Sequence, residues 1–203
     1  MKKITAIMAA AALVMTLAFT NESGYKVGDK AADFKLKNVD GKTVSMADYK
    51  DAKGIIVVFT CNHCPFAKKY EGRIMDLDKK FKSKGYPVIA ISPNDPTIVP
   101  DDSYENMQKL AKEKKYSFPY LMDETQETAK TYGATKTPHV YILQKEKDAY
   151  VVKYIGAIDD NADDEKAVKE KYVENAIANL LAGKPVNPET TKAFGCGIKW
   201  KKV

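Results

Sequence analysis

Cys61-Asn62-His63-Cys64-Pro65 is the stretch of this chain best equipped for chemistry. Two thiols separated by two residues can close into a disulfide within one helical turn. In such a pair the thiolate is the nucleophile, and a helix start lowers a thiol's pKa through its dipole and its free backbone N–H groups. Cys61 is therefore the expected attacking sulfur, set in the first turn of a helix. Cys64, deeper in, is the expected resolving thiol. The sequence of events is attack by Cys61 on a disulfide, a mixed disulfide, and release by Cys64. His63, one of two histidines in the chain, can carry a proton beside the Cys61 thiolate and favour the dithiol form. Asn62 and Pro65 complete the set that tunes the redox poise.

Other uses of the pair fit less well. Haem attachment needs histidine directly after the second cysteine, and position 65 is proline. A structural zinc site needs a second ligand pair, and His139 and Cys196 are not arranged as one. A copper or zinc site built from Cys61, Cys64 and His63 or His139 is the alternative that spacing allows. No cofactor is expected beyond a redox-active Cys61–Cys64 disulfide, and no metal. Cys196 stands between two glycines, where backbone can approach another group closely. It is a candidate third redox thiol, an intermolecular disulfide partner, or an inert buried residue.

The elements around the motif must position it. Ile55-Ile56-Val57-Val58-Phe59 reads as a strand buried on both faces. Phe66, Tyr70, Ile74, Leu77 and Phe81 recur at three- and four-residue steps, which predicts a helix ended by Gly85 and Pro87. Upstream, Phe34, Leu36, Val44 and Met46 flank a turn at Asp40-Gly41 as a hairpin would. Residues 88–91 read as a second core strand. Asp102 with Glu105 resembles a capping box before a helix, and Asp123 with Gln126 a second, for a helix closing at Gly133. Residues 120–122, 140–143 and 150–158 read as further strands. The last helix carries Val168, Tyr172, Ala176, Ile177, Leu180 and Leu181 inward and stops at Gly183 and Pro185. Alternating strands and helices predict an α/β fold, a central mixed sheet with helices on both faces.

The 203 residues suffice for one domain with a sizeable core. At the N-terminus, Lys2 and Lys3 precede an apolar run over residues 4–19, too short for the roughly 20 residues of a membrane span. Residues 1–20 are read as a signal peptide, 21–30 as a linker and 31–203 as the domain, with a tail over 184–203. The alternative is an uncleaved N-terminal membrane anchor. Either places the domain outside the cytoplasm, periplasmic or secreted, where disulfides persist. Without the leader, 31 basic side chains face 27 acidic ones, which does not argue for nucleic acid.

Gly28-Asp29-Lys30-Ala31-Ala32-Asp33-Phe34 with Asp40-Gly41-Lys42 resembles the N-terminal extension of redoxins, the alkyl hydroperoxide reductase and TlpA-like branch of the thioredoxin superfamily. Phe59-Thr60-Cys61-Asn62-His63-Cys64-Pro65 is similar to their active-site strand and helix start. Thr137-Pro138 resembles the superfamily's cis-proline loop, and residues 195–200 a tail found in one subgroup. The resemblance implies a thioredoxin-like fold in which Pro138 is cis and faces the CxxC. Thr137 would then pair with an extended substrate chain as a sheet edge does. Peroxidases of this branch carry threonine three residues before the reactive cysteine; here that position is Val58.

The function expected is extracytoplasmic thiol–disulfide exchange with protein disulfides or dithiols. Recycling would fall to an unidentified partner, a membrane-bound one among the options. The alternatives are a thiol peroxidase and a metal-binding chaperone.

Overall fold

The structure, a computed structural model, describes residues 24–202. The expected signal peptide over residues 1–20 lies outside them. The strands are β1 (Lys30–Ala31), β2 (Lys35–Asn38), β3 (Thr43–Ser45), β4 (Gly54–Phe59), β5 (Val88–Ser92), β6 (Tyr120–Met122), β7 (Lys136–Thr137), β8 (His139–Glu146), β9 (Ala149–Gly156) and β10 (Cys196–Gly197). The α-helices are α1 (Pro65–Phe81), α2 (Tyr104–Lys114), α3 (Glu127–Tyr132) and α4 (Tyr172–Leu181). Eight strands form one mixed sheet in the order β1-β9-β8-β4-β5-β6-β2-β3, and β10 pairs with β7 in a separate ribbon. β4 runs parallel to β5, and β5 to β6, while β8 lies antiparallel on the other side of β4.

The central strand explains the layering. Every residue of β4 is buried, and its side chains alternate between the two faces. Ile56 and Val58 join Tyr70, Ile74, Leu77 and Phe81 of α1, with Met107 of α2 and Val173 and Ile177 of α4. Ile55, Val57 and Phe59 join Phe34, Met46, Ala129 and Tyr132 on the opposite face. Burying each such aliphatic or aromatic side chain contributes about 1.5–3 kcal/mol. The predicted hairpin is β2–β3, paired Lys35 to Ser45, and it extends the sheet beyond β6.

Residues 24–30 are part of the domain rather than a linker. Tyr25 donates its backbone N–H to Tyr132 and stacks edge-on against its ring, and Lys30 pairs with Val151. Gly133 ends α3 with φ +73 and meets Gly24, where a Cβ would lie 2.5 Å from the Gly24 Cα. Only glycine meets both demands. In the last helix Val168 precedes α4, Leu181 is exposed and Val173 takes the inward place. The tail returns across the domain: Thr191 donates to the Ile155 carbonyl, and its Oγ1 accepts from the Ala157 N–H. Among the described residues no helix is long and apolar enough to cross a membrane.

Candidate active site

The CxxC leaves the carboxyl end of β4 and enters α1, as the apolar run and the helical stripe require. The helix, however, begins later than its motif suggests. Pro65 is its first residue and Cys64 its N-cap, because proline suits the first helical position, where its missing N–H costs nothing. Cys61 therefore lies in the loop before the helix, not in its first turn.

Cys61 is buried and free. Its Sγ lies 3.3 Å from the Thr137 hydroxyl oxygen and 3.7 Å from His63 Nδ1. Burial first, and the Asp102 carboxylate second, push the Cys61 thiol up to about 11. The Thr137 hydroxyl and the backbone N–H groups of Cys64 and His63 pull the other way without prevailing. The expected acidification of Cys61 is thus reversed in this state: desolvation of a thiolate outweighs the few dipoles aimed at it.

The expected Cys61–Cys64 disulfide is not the pair observed. Cys64 is bonded to Cys196, across 132 residues of chain and 6.2 Å between Cα atoms. The three cysteines share one packed cluster with Ala67 and Phe66. Cys64 Sγ also lies 3.3 Å from the Thr137 carbonyl oxygen. The Thr137–Pro138 bond is cis, as the resemblance implies, and Thr137 is fully buried between the sulfurs and the tail. The edge expected to receive a substrate chain is occupied by the protein itself: Cys196 pairs with Thr137 and Gly197 with Lys136.

Asp102, which its spacing to Glu105 marks as a helix cap, belongs to the site instead. Ser103, not Asp102, caps α2, accepting from the Asn106 N–H. The Asp102 carboxylate is fully buried and turned toward the motif. Its Oδ1 accepts from the backbone N–H groups of Asn62 (2.7 Å) and His63 (3.0 Å). Its Oδ2 accepts from Asn94 Nδ2 (2.7 Å) and lies 2.5 Å from His63 Nδ1. Asn62 is anchored as well, donating to the Asp101 carbonyl and accepting from the Tyr120 hydroxyl. Asn62 and His63 are thus held by a carboxylate 39 or more residues away, a connection no local pattern carries.

His139 stands apart. It is buried against Tyr141, and burial lowers its pKa to about 4, so it is neutral and outside the thiol cluster. The donor set that does converge is Cys61, His63 and Asp102, whose ligand atoms lie within 4.8 Å of one another. Both Asp102 oxygens already accept hydrogen bonds there, and Cys64 is engaged in its disulfide, which leaves the metal alternative without its second thiol in this state.

A mixed sheet whose central strand delivers paired cysteines to a helix start, faced by a cis-proline loop, defines the thioredoxin-like class. The thioredoxin domain of thiol-disulfide oxidoreductase BVU-2223 from Bacteroides vulgatus shares this fold, with TM-score 0.52 and 20% identity over 66% of this chain and 91% of that one. The model of the AhpC/TSA family matches residues 27–173, and the chain belongs to that family. It is similar over nearly its whole described length to an uncharacterized conserved protein from Geobacillus kaustophilus: 38% identity, 89% of this chain and 96% of that one, TM-score 0.82. Thiol-disulfide oxidoreductase ResA of Bacillus thuringiensis subsp. konkukian (strain 97-27) is 27% identical over 137 residues, covering 68% of this chain and 73% of ResA.

Proposed function

We propose that this protein is an extracytoplasmic thiol–disulfide oxidoreductase that exchanges disulfides with protein substrates through Cys61 and Cys64. The observation that carries the reading is the pair of sulfurs flanking Thr137, each 3.3 Å from one of its oxygens. A sheet edge that accepts an extended, cysteine-bearing segment thereby sits directly against the thiols. The similarity to ResA supports the same chemistry, and the charged and apolar pattern of residues 1–19 supports export.

In this reading Cys61 attacks the substrate disulfide and Cys64 resolves the mixed disulfide. Thr137 donates its hydroxyl to the Cys61 thiolate when it forms. His63 Nδ1 lies beside that sulfur, and Asp102 holds it in place. Asn62 and Pro65 act on the poise by fixing the loop and the helix start.

Reduction of insulin disulfides by dithiothreitol, with and without catalytic protein, tests the assignment. Cys61→Ser is expected to reduce the rate to the uncatalysed level; full activity in that variant refutes the reading. The peroxidase alternative is disfavoured because Val58, three residues before Cys61, is a buried apolar side chain of β4. Stoichiometric peroxide consumption with sulfenic acid at Cys61 would restore it.

A further inference from the structure

We propose that Cys196 is the third thiol of a sulfur relay, delivered to Cys64 by the C-terminal tail docking on the Thr137 edge. The inference rests on the thiol–disulfide reading above and deepens it. Three independent features place the tail. Its backbone continues the β7 ribbon, with Cys196 opposite Thr137, Gly197 opposite Lys136 and the Ile198 N–H donating to the Thr135 carbonyl. Ile198 is buried in the core cluster on the α3 face of the sheet. The Lys199 carbonyl accepts from the Asp95 N–H and from Gln126 Nε2.

Gly195 makes the approach possible. A Cβ there would lie 2.2 Å from the Thr137 carbonyl oxygen, inside any allowed contact. Asn94 ties the docked tail to the thiol site: its Oδ1 accepts from the Lys199 N–H while its Nδ2 donates to Asp102. The tail is thus built into the active site and is not a loose end that happens to carry a cysteine.

The chemistry balances within the chain. After a substrate disulfide has been reduced, Cys61 and Cys64 are joined. The Cys196 thiolate attacks the Cys64 sulfur, the Cys64–Cys196 bond forms, the Cys61–Cys64 bond breaks, and Cys61 leaves as thiolate. The proton given up by Cys196 ends on Cys61, where burial favours the neutral thiol. No outside oxidant or reductant enters this step. The structure matches its product, with Cys61 free and Cys64 bonded to Cys196. An external dithiol then reduces Cys64–Cys196, becoming a disulfide itself and releasing the tail. Because tail and substrate use the same edge, the tail docks after product has left.

The test uses the full chain, fully reduced and then given one equivalent of glutathione disulfide. The sample is quenched in acid, unfolded, alkylated with iodoacetamide and mapped by peptide mass spectrometry. Wild type is expected to yield a Cys64–Cys196 linked peptide and alkylated Cys61. Cys196→Ser is expected to stop at Cys61–Cys64. Gly195→Val keeps the thiol but displaces its backbone, and is expected to slow formation of Cys64–Cys196 by about 100-fold, the effect of a misplacement of ~1 Å. Cys61–Cys64 as the wild-type end product, with alkylated Cys196, overturns the relay, as does a Gly195→Val rate equal to wild type. If wild type does not react with glutathione disulfide, the exchange reading fails. Oxidation of the same sample with diamide then still decides the pairing: Cys64–Cys196 supports the relay's final bond, and Cys61–Cys64 refutes it.

Discussion

Asp159 and Asp102 are both buried carboxylates, yet their surroundings differ in kind. Asp159 receives the Arg73 guanidinium at 2.7 and 2.8 Å and the Tyr70 hydroxyl at 2.9 Å. Its charge meets a permanent cation, and the group locks α1 to the segment after β9. Asp102 meets backbone N–H groups, an amide and a titratable imidazole. Burial is the main cause of the neighbouring Cys61 thiol's upward pKa shift, and the Asp102 charge adds to it. A permanent ion pair favours anchoring, whereas a carboxylate held by dipoles and a histidine keeps an electrostatic lever on a reacting atom.

Breaking the first cluster carries the largest expected effect on stability. Arg73→Ala leaves Asp159 buried without its cation and is expected to cost about 3–5 kcal/mol in urea unfolding. Insulin reduction per folded molecule should stay at the wild-type level. A loss below about 1 kcal/mol would mean that the pair is not the anchor described.

His139 is a third case, buried with no ionic partner among the described residues. Its folded pKa of about 4 lies below the usual 6.5, so between those values the unfolded chain binds a proton that the native protein does not. Stability should therefore fall as pH drops from 6.5 toward 4, by up to about 3 kcal/mol. His139→Phe should flatten that slope in unfolding curves recorded across the range; an unchanged slope would assign the acid sensitivity to other groups.

The smallest expected change concerns Asp102. Asp102→Asn removes the negative charge, so the Cys61 pKa should drop below its wild-type value of about 11. In the Cys64–Cys196 form Cys61 is the free thiol, and the pH dependence of its alkylation reads the shift directly. Stability should fall by about 1–3 kcal/mol through the weakened buried hydrogen bonds. A Cys61 pKa that rises instead would contradict the role of the charge.

The frame of the fold was legible because its signals are local. The unbroken Ile55-Ile56-Val57-Val58-Phe59 run, the stripe from Phe66 to Phe81 and the Asp40-Gly41 turn each show a periodicity or a turn chemistry within a few residues. The role of Asp102 is hidden for the same reason: Asp-Ser at a helix start offers two cap candidates, and a carboxylate's preference for a distant loop leaves no mark in its own neighbourhood. Residues 24–30 looked like a linker because their partners, Tyr132 and Val151, lie over 100 residues away.

By itself the sequence determined that two thiols sit between a core strand and a helix, and that a Thr-Pro step precedes the next strand. Spacing and hydropathy settle such matters. Which sulfurs pair, which carboxylate faces Cys61 and what occupies the Thr137 edge were decided only by the tertiary structure. Each depends on groups brought together across 39 to 132 residues. The thiol's resting protonation was decided there too, since desolvation by the packed core outweighs the N–H groups that the local motif supplies.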